Sequence, residues 1–143
     1  MDKDELIAAM TPGCKDPQDE RDENDLGRFG LGLKTSSFSQ CKALTVITKK
    51  KDHNLIKRHW DLDFVNETGK WNLLDYLSDA KFMDPLSNLD QGTTVLWEKL
   101  DRLVGNANRE NQAALDVFLA EFEFVENHLS LVFHRYLEQH KIK

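Results

Sequence analysis

Residues 25–41 read DLGRFGLGLKTSSFSQC. Gly27, Gly30 and Gly32 stand close together, with Arg28, Phe29 and Leu31 between them, and a helix-compatible run beginning Leu33, Lys34 follows at once. Glycine permits positive φ angles and close approach of the backbone to a ligand. Converging N–H groups and a helix N-terminus favour an anion at such a place, and Arg28 and Lys34 can add full charges. Glycine spacing by itself fits equally well a helix entry that holds nothing. Two better-known phosphate loops fail the comparison. The dinucleotide fingerprint is GxGxxG after a strand, whereas this order is GxxGxG after an acidic stretch. The Walker loop requires lysine directly after its second glycine, and here Leu33 intervenes before Lys34-Thr35. One inserted residue turns a helical side chain by about 100°, and no apolar strand precedes Gly27 as that loop requires.

Outward from this stretch, residues 43–48 (ALTVIT) read as a β-branched apolar strand. On the other side, residues 11–26 hold two prolines, a glycine and many charges, the pattern of a surface loop. Before it, DELIAAM places Leu6, Ile7 and Met10 at helical spacing behind acids that suit a helix start. Residues 54–65 (NLIKRHWDLDFV) alternate as a second strand, with Leu55, Lys57, His59 and Asp61 predicting one face in water. Residues 71–77 (WNLLDYL) fit a strand or a helical turn, and residues 92–100 (GTTVLWEKL) a third strand. After Gly105, Leu115, Phe118, Leu119, Phe122, Val125, Leu129, Val132, Phe133 and Tyr136 fall on one broad helical face. That long helix, kinked or straight, is expected to supply a large share of the core.

The segment DLGRFGLGLKTSSFSQC resembles the phosphate-binding motif of the GHKL superfamily, whose members include gyrase B, the ninety-kilodalton heat-shock chaperone, histidine kinases, MutL and MORC ATPases. In that family a helix leads into an ATP lid, then a glycine-rich turn, a helix and a strand. Residues 1–10, 11–26, 27–41 and 43–104 are similar to those parts in order, with the long helix at 108–139 beyond them. The turn, with Leu33-Lys34, looks closest to the MORC and chaperone branches. The resemblance implies a single α+β domain, a two-layer α/β sandwich of GHKL (Bergerat) type, incomplete, its mixed sheet covered by helices on one face. It implies ATP as ligand, with Mg2+ in the complete family domain. Gly27, Arg28, Phe29, Gly30, Leu31, Gly32, Leu33 and Lys34 would hold the phosphates. Thr93, in Gly92-Thr93-Thr94-Val95, would meet the adenine. The family's catalytic glutamate, magnesium-binding asparagine and adenine-binding aspartate are expected ahead of residue 1, where Met1 looks like the end of a GxGM motif. Expectations follow of an N-terminally truncated domain without hydrolysis of its own and of self-association through an uncovered sheet edge.

Length and composition fit this reading. The chain has 143 residues, 40% hydrophobic and 31% charged, which suits one folded domain. A net charge of -6 disfavours long-range attraction to nucleic acid or to an anionic membrane. Cys14 and Cys41 lack CxxC spacing, so a reduced, cytoplasmic protein is the inference. No stretch reaches the roughly 20 apolar residues of a membrane span. Lys49-Lys50-Lys51 reads as a solvated turn, the histidines show no zinc spacing, and no serine sits in a GxSxG turn. Trp60, Trp71 and Trp97 read as packing residues. A reading of another class stays open: a non-enzymatic module with a vestigial glycine loop, docking a partner protein by the apolar face of its C-terminal helix.

Overall fold

The computed structural model describes residues 1–14, 20, 30–75, 86, 88–101, 105 and 111–140. The chain divides into two units, Met1–Arg102 and Leu103–Lys143.

In the first unit, helix α1 (Lys3–Met10) starts in a capping box. The Asp2 carboxylate accepts from the Glu5 N–H, and the Glu5 carboxylate accepts from the Asp2 N–H. The Glu5 N–H, joined by the Lys50 ammonium, pulls the Asp2 carboxyl down to about 2. Lys50, expected in a solvated turn, thus pairs with both acids and ties the end of the first strand to the start of α1. Helix α2 (Gly32–Phe38) follows the glycines, and strand β1 (Ala43–Lys49) follows α2. Strand β2 (Ile56–Asp61) runs directly into helix α3 (Leu62–Thr68), and strand β3 (Gly92–Glu98) completes the sheet.

The strand order is β2-β1-β3. Both pairings are antiparallel, with Leu44 opposite Trp60 on one side and Trp97 on the other. An α+β class was expected and is found. The mixed character was not: among the described strands every ladder is antiparallel.

Period-two alternation turns Leu44, Val46 and Thr48 to one face of β1. There Leu44, Val46 and Trp60 form the core with Leu6 and Met10 of α1 and with Cys41, while Leu33 and Phe38 of α2 pack against it. The two helices therefore lie on one face of the sheet. Each fully buried aliphatic side chain contributes about 1.5–3 kcal/mol, so this cluster is the main stabiliser of the unit.

Two expectations about β2 need correction. The polar face of β2 is not in water: His59 is buried, as are Thr45 and Ile47 on the same side of β1. Residues past α3 return to this edge, and His59 and Leu74 exchange two backbone hydrogen bonds of 2.9 Å. The imidazole tolerates burial because its Nδ1 lies 2.7 Å from Thr45 Oγ1. Nor does the strand continue through residues 62–65. Asp61 caps α3 by accepting from the Asp63 and Phe64 N–H groups, and Gly69 closes the helix at φ 66°.

The second unit contains helix α4 (Gln112–Val132) and helix α5 (His134–Glu138), separated at Phe133. Asn111 caps α4 by accepting from the Ala114 N–H. No residue of either helix is buried. The core expected from this apolar stripe is not made by it; α1, a much shorter helix, packs on the sheet instead.

Candidate functional site

Two clusters sit on the helix-covered face. The first surrounds the start of α2. Gly30 adopts φ 62°, a conformation that side chains with a Cβ resist, and so turns the chain into the helix. Leu31, the N-cap residue of α2, makes no side-chain cap hydrogen bond. Its first intrahelical donor is the Thr35 N–H, bonded to Leu31 O at 2.9 Å, so the N–H groups of Gly32, Leu33 and Lys34 precede the helical ladder. A Cβ built on Gly32 would meet no atom within 4 Å, and Leu31 is exposed beside it. Leu33 turns inward against the core. Gly27, Arg28, Phe29 and most of the segment read as a lid lie outside the described residues.

Lys34 does something its sequence position does not announce. It is buried, and its ammonium donates to Ala9 O at 2.8 Å, one of the carbonyls that α1 leaves without an intrahelical partner. Trp60 Nε1 donates to Met10 O beside it at 3.0 Å. The C-terminal end of α1 is therefore gripped by one side chain from α2 and one from β2. Burial lowers the Lys34 pKa. On the far side of α2, Trp97 Nε1 donates to Ser37 Oγ at 2.9 Å, fastening α2 to β3.

The second cluster lies where β1 ends and β3 begins. Thr93 is exposed, and its Oγ1 is 3.0 Å from Thr48 Oγ1. Thr48 is fully buried, also lies within 3.1 Å of Gly92 O, and accepts from the Met1 amino group at 3.1 Å. Thr48 thus positions Thr93 and brings the start of the chain to it. Sequence reading singled out Thr93 and missed Thr48. The signal was present: Thr48 has the strand parity of Leu44 and Val46, and so belongs to the helix-covered face.

These two clusters share one face, joined by α2, β1 and β3. A family model described as histidine kinase-, DNA gyrase B- and HSP90-like ATPase matches residues 1–93. The chain belongs to that ATPase family. The match takes in α1, the glycine loop, α2, β1 and β2, and it ends at Thr93. No curated protein and no solved structure matches the chain.

The opposite face of this ATPase-family sheet carries a polar array that resembles catalytic machinery only in residue type. Thr45 Oγ1 is 2.7 Å from His59 Nδ1, and His59 Nε2 is 3.9 Å from Asp61. Thr45 and His59 are 3% and 4% exposed, so a substrate has no access to either. Burial lowers the His59 pKa against the pull of Asp61 and Glu98. Asp61 is itself committed, to the α3 cap and to the Lys99 ammonium at 2.9 Å. The array is interior packing. Among the described residues no group of three or more His, Cys, Asp or Glu side chains could hold a metal ion. Among them, too, no helix is long and apolar enough to cross a membrane.

Proposed function

We propose that this chain binds ATP, with the phosphates at the glycine turn that opens α2 and the adenine beside Thr93. One observation carries the reading: a family member presents, on one face of its sheet, a glycine turn into a helix whose N-cap residue, Leu31, makes no side-chain hydrogen bond, and an exposed threonine whose hydroxyl meets a buried partner. N–H groups that lack a helical acceptor favour a phosphate oxygen, and the open space at Gly32 lets the backbone reach it. In the family domain magnesium accompanies the nucleotide and neutralises charge between its phosphates. Gly30, Leu31 and Gly32 are the described residues nearest that role, with Gly27, Arg28 and Phe29 completing the motif. Leu33 and Lys34 support the turn from within, since one packs on the core and the other anchors α1.

The same reading holds that these residues do not hydrolyse ATP by themselves. The matched motifs provide phosphate and adenine contacts, but none provides a carboxylate placed to take a proton from water, the role of a general base. Free Cys14 and Cys41 fit a reducing, cytoplasmic setting. The likeness of the turn to the MORC and chaperone branches rests on Leu33-Lys34.

Calorimetric titration with a non-hydrolysable ATP analogue tests the proposal. Binding is expected in the unaltered chain and its loss in Gly32→Val, whose side chain enters open space and leaves the fold intact. Thr93→Val should weaken binding by about tenfold, the scale of one hydrogen bond. Undiminished affinity in a folded Gly32→Val protein overturns the phosphate assignment.

A further inference from the structure

Thr48 Oγ1 is the hub of three contacts: Met1 N at 3.1 Å, Gly92 O at 3.1 Å and Thr93 Oγ1 at 3.0 Å. A hydroxyl has one proton to give and two lone pairs that accept. Gly92 O is a carbonyl and can only accept, so it takes the Thr48 proton. The Met1 ammonium can only donate, so it occupies one lone pair. The other lone pair is left for Thr93, which therefore donates its own proton inward. In the reverse assignment, with Thr48 donating to Thr93, the oxygens of Thr48 and Gly92 would stand 3.1 Å apart with no proton between them. Thr48 is fully buried, so water does not relieve such a contact. Thr93, by contrast, is exposed, and among the described residues its hydroxyl has no hydrogen-bond partner besides Thr48.

We propose that Thr48 holds Thr93 as a hydrogen-bond acceptor toward the ligand, so that the site selects a purine bearing the exocyclic amine of adenine over one with a carbonyl at that position. The inference rests on the reading that a nucleotide base lies beside Thr93. With its proton committed to Thr48, the Thr93 oxygen offers outward only lone pairs. The amine of adenine has N–H bonds to give them. The carbonyl of hypoxanthine would instead set oxygen against oxygen, and a purine with a bare C–H would leave the acceptor unpaired. A site that leaves its own polar group unpaired with the wrong ligand discriminates more strongly than one that relies on size. Thr48 is buried and acts through Thr93, so it is a positioning residue. The two threonines are direct partners across the β1–β3 ladder, and the direction of the hydrogen bond is therefore held by strand register.

Calorimetric titration of the full chain with ATP, purine riboside triphosphate and inosine triphosphate tests this, since these carry an amine, a hydrogen and a carbonyl at that position. ATP should bind about tenfold more tightly than purine riboside triphosphate, the scale of one hydrogen bond, and more tightly still than inosine triphosphate. Thr93→Val should weaken ATP and leave purine riboside triphosphate unchanged, so that the preference disappears. Thr48→Val frees the Thr93 proton to turn outward, and inosine triphosphate should then come within about threefold of ATP. Thr48→Ser keeps the hub hydroxyl and should keep the preference, whereas a merely structural role for Thr48 would weaken all three nucleotides alike. Circular dichroism checks the fold of Thr48→Val, and the Thr93→Val comparison decides the matter without it. A preference for ATP over purine riboside triphosphate that persists in Thr93→Val overturns the proposal and leaves the nucleotide reading standing, because the amine is then read elsewhere. So does a folded Thr48→Val protein that rejects inosine triphosphate as strongly as the unaltered chain. A chain that binds none of the three overturns the nucleotide reading itself, and this inference with it.

Discussion

Helix α1 and helix α4 reverse the ranking their sequences suggest. The first has eight residues and only a few apolar side chains, yet Leu6 and Met10 are each 0% exposed. The second has 21 residues with apolar side chains on much of its circumference, and Phe124 and Leu131 are 69% and 74% exposed. The contrast teaches that apolar periodicity measures how much a helix gains from burial, while the surface that provides burial is a separate matter. Helix α1 has that surface. The Leu44–Val46 face of β1 lies under it, and Lys34 and Trp60 satisfy its terminal carbonyls.

The sharpest way to break the comparison is a matched pair of truncations. Leu6→Ala should cost about 2–5 kcal/mol in urea unfolding, the range for a buried leucine that leaves a cavity. Leu129→Ala, from the longer and more apolar helix, should stay within about 0.5 kcal/mol in the same transition of the first unit. Equal losses would mean that α4 contributes to the core after all.

Lys34→Met sharpens the account of how α1 is held. A hydrogen bond from a charged group is worth about 1.5–3 kcal/mol, and methionine recovers part of that by packing, so a loss near the lower end is expected. The pH dependence has a definite sign. Folding lowers the Lys34 pKa, so between the lowered value and 10.5 the unfolded chain binds more protons. The cost of holding the ammonium away from water is in full force below the lowered value and is relieved as pH rises to 10.5, so stability rises across that window on top of what the hydrogen bond contributes. Alkaline titration of the unfolding midpoint should show that rise in the unaltered chain and lack it in Lys34→Met.

Trp60→Phe is a smaller perturbation of the same grip. It removes the donor to Met10 O and keeps most of the buried ring, for a loss of about 1 kcal/mol. A neutral result would show that water replaces the indole N–H.

The smallest effect concerns the buried imidazole. Burial lowers the His59 pKa, so its contribution is fully present above 6.5 and disappears as pH falls through the lowered value. Thermal midpoints of the first unit should decline through this acid window, and more shallowly in His59→Gln. Asp61, Glu98 and Lys99 face the ring as well, and the variant isolates its share of the slope.

Much of the candidate site was legible because it rests on local rules. Glycine spacing marked the turn that Gly30 makes at φ 62°, and apolar runs marked β1 and β3. Helix α3 was missed although its signals were present, Asp61 before it and Gly69 after it, because the alternation of β2 carried past its end. Thr48 was missed because a threonine inside an apolar strand looks like any other strand residue until its neighbour across the sheet is known.

By itself, then, the sequence determined α1, the helical run after the glycines, β1, β3 and α4, the turn at Gly30, and the family to which the glycine motif belongs. These follow from φ preference, capping and side-chain period, each set within a few residues. The tertiary structure alone decided that Lys34 faces a carbonyl of α1, that Thr48 supports Thr93, and that the most apolar helix lies outside the core. Those facts depend on what stands opposite a residue across tens of positions of chain, and no local pattern encodes the neighbour.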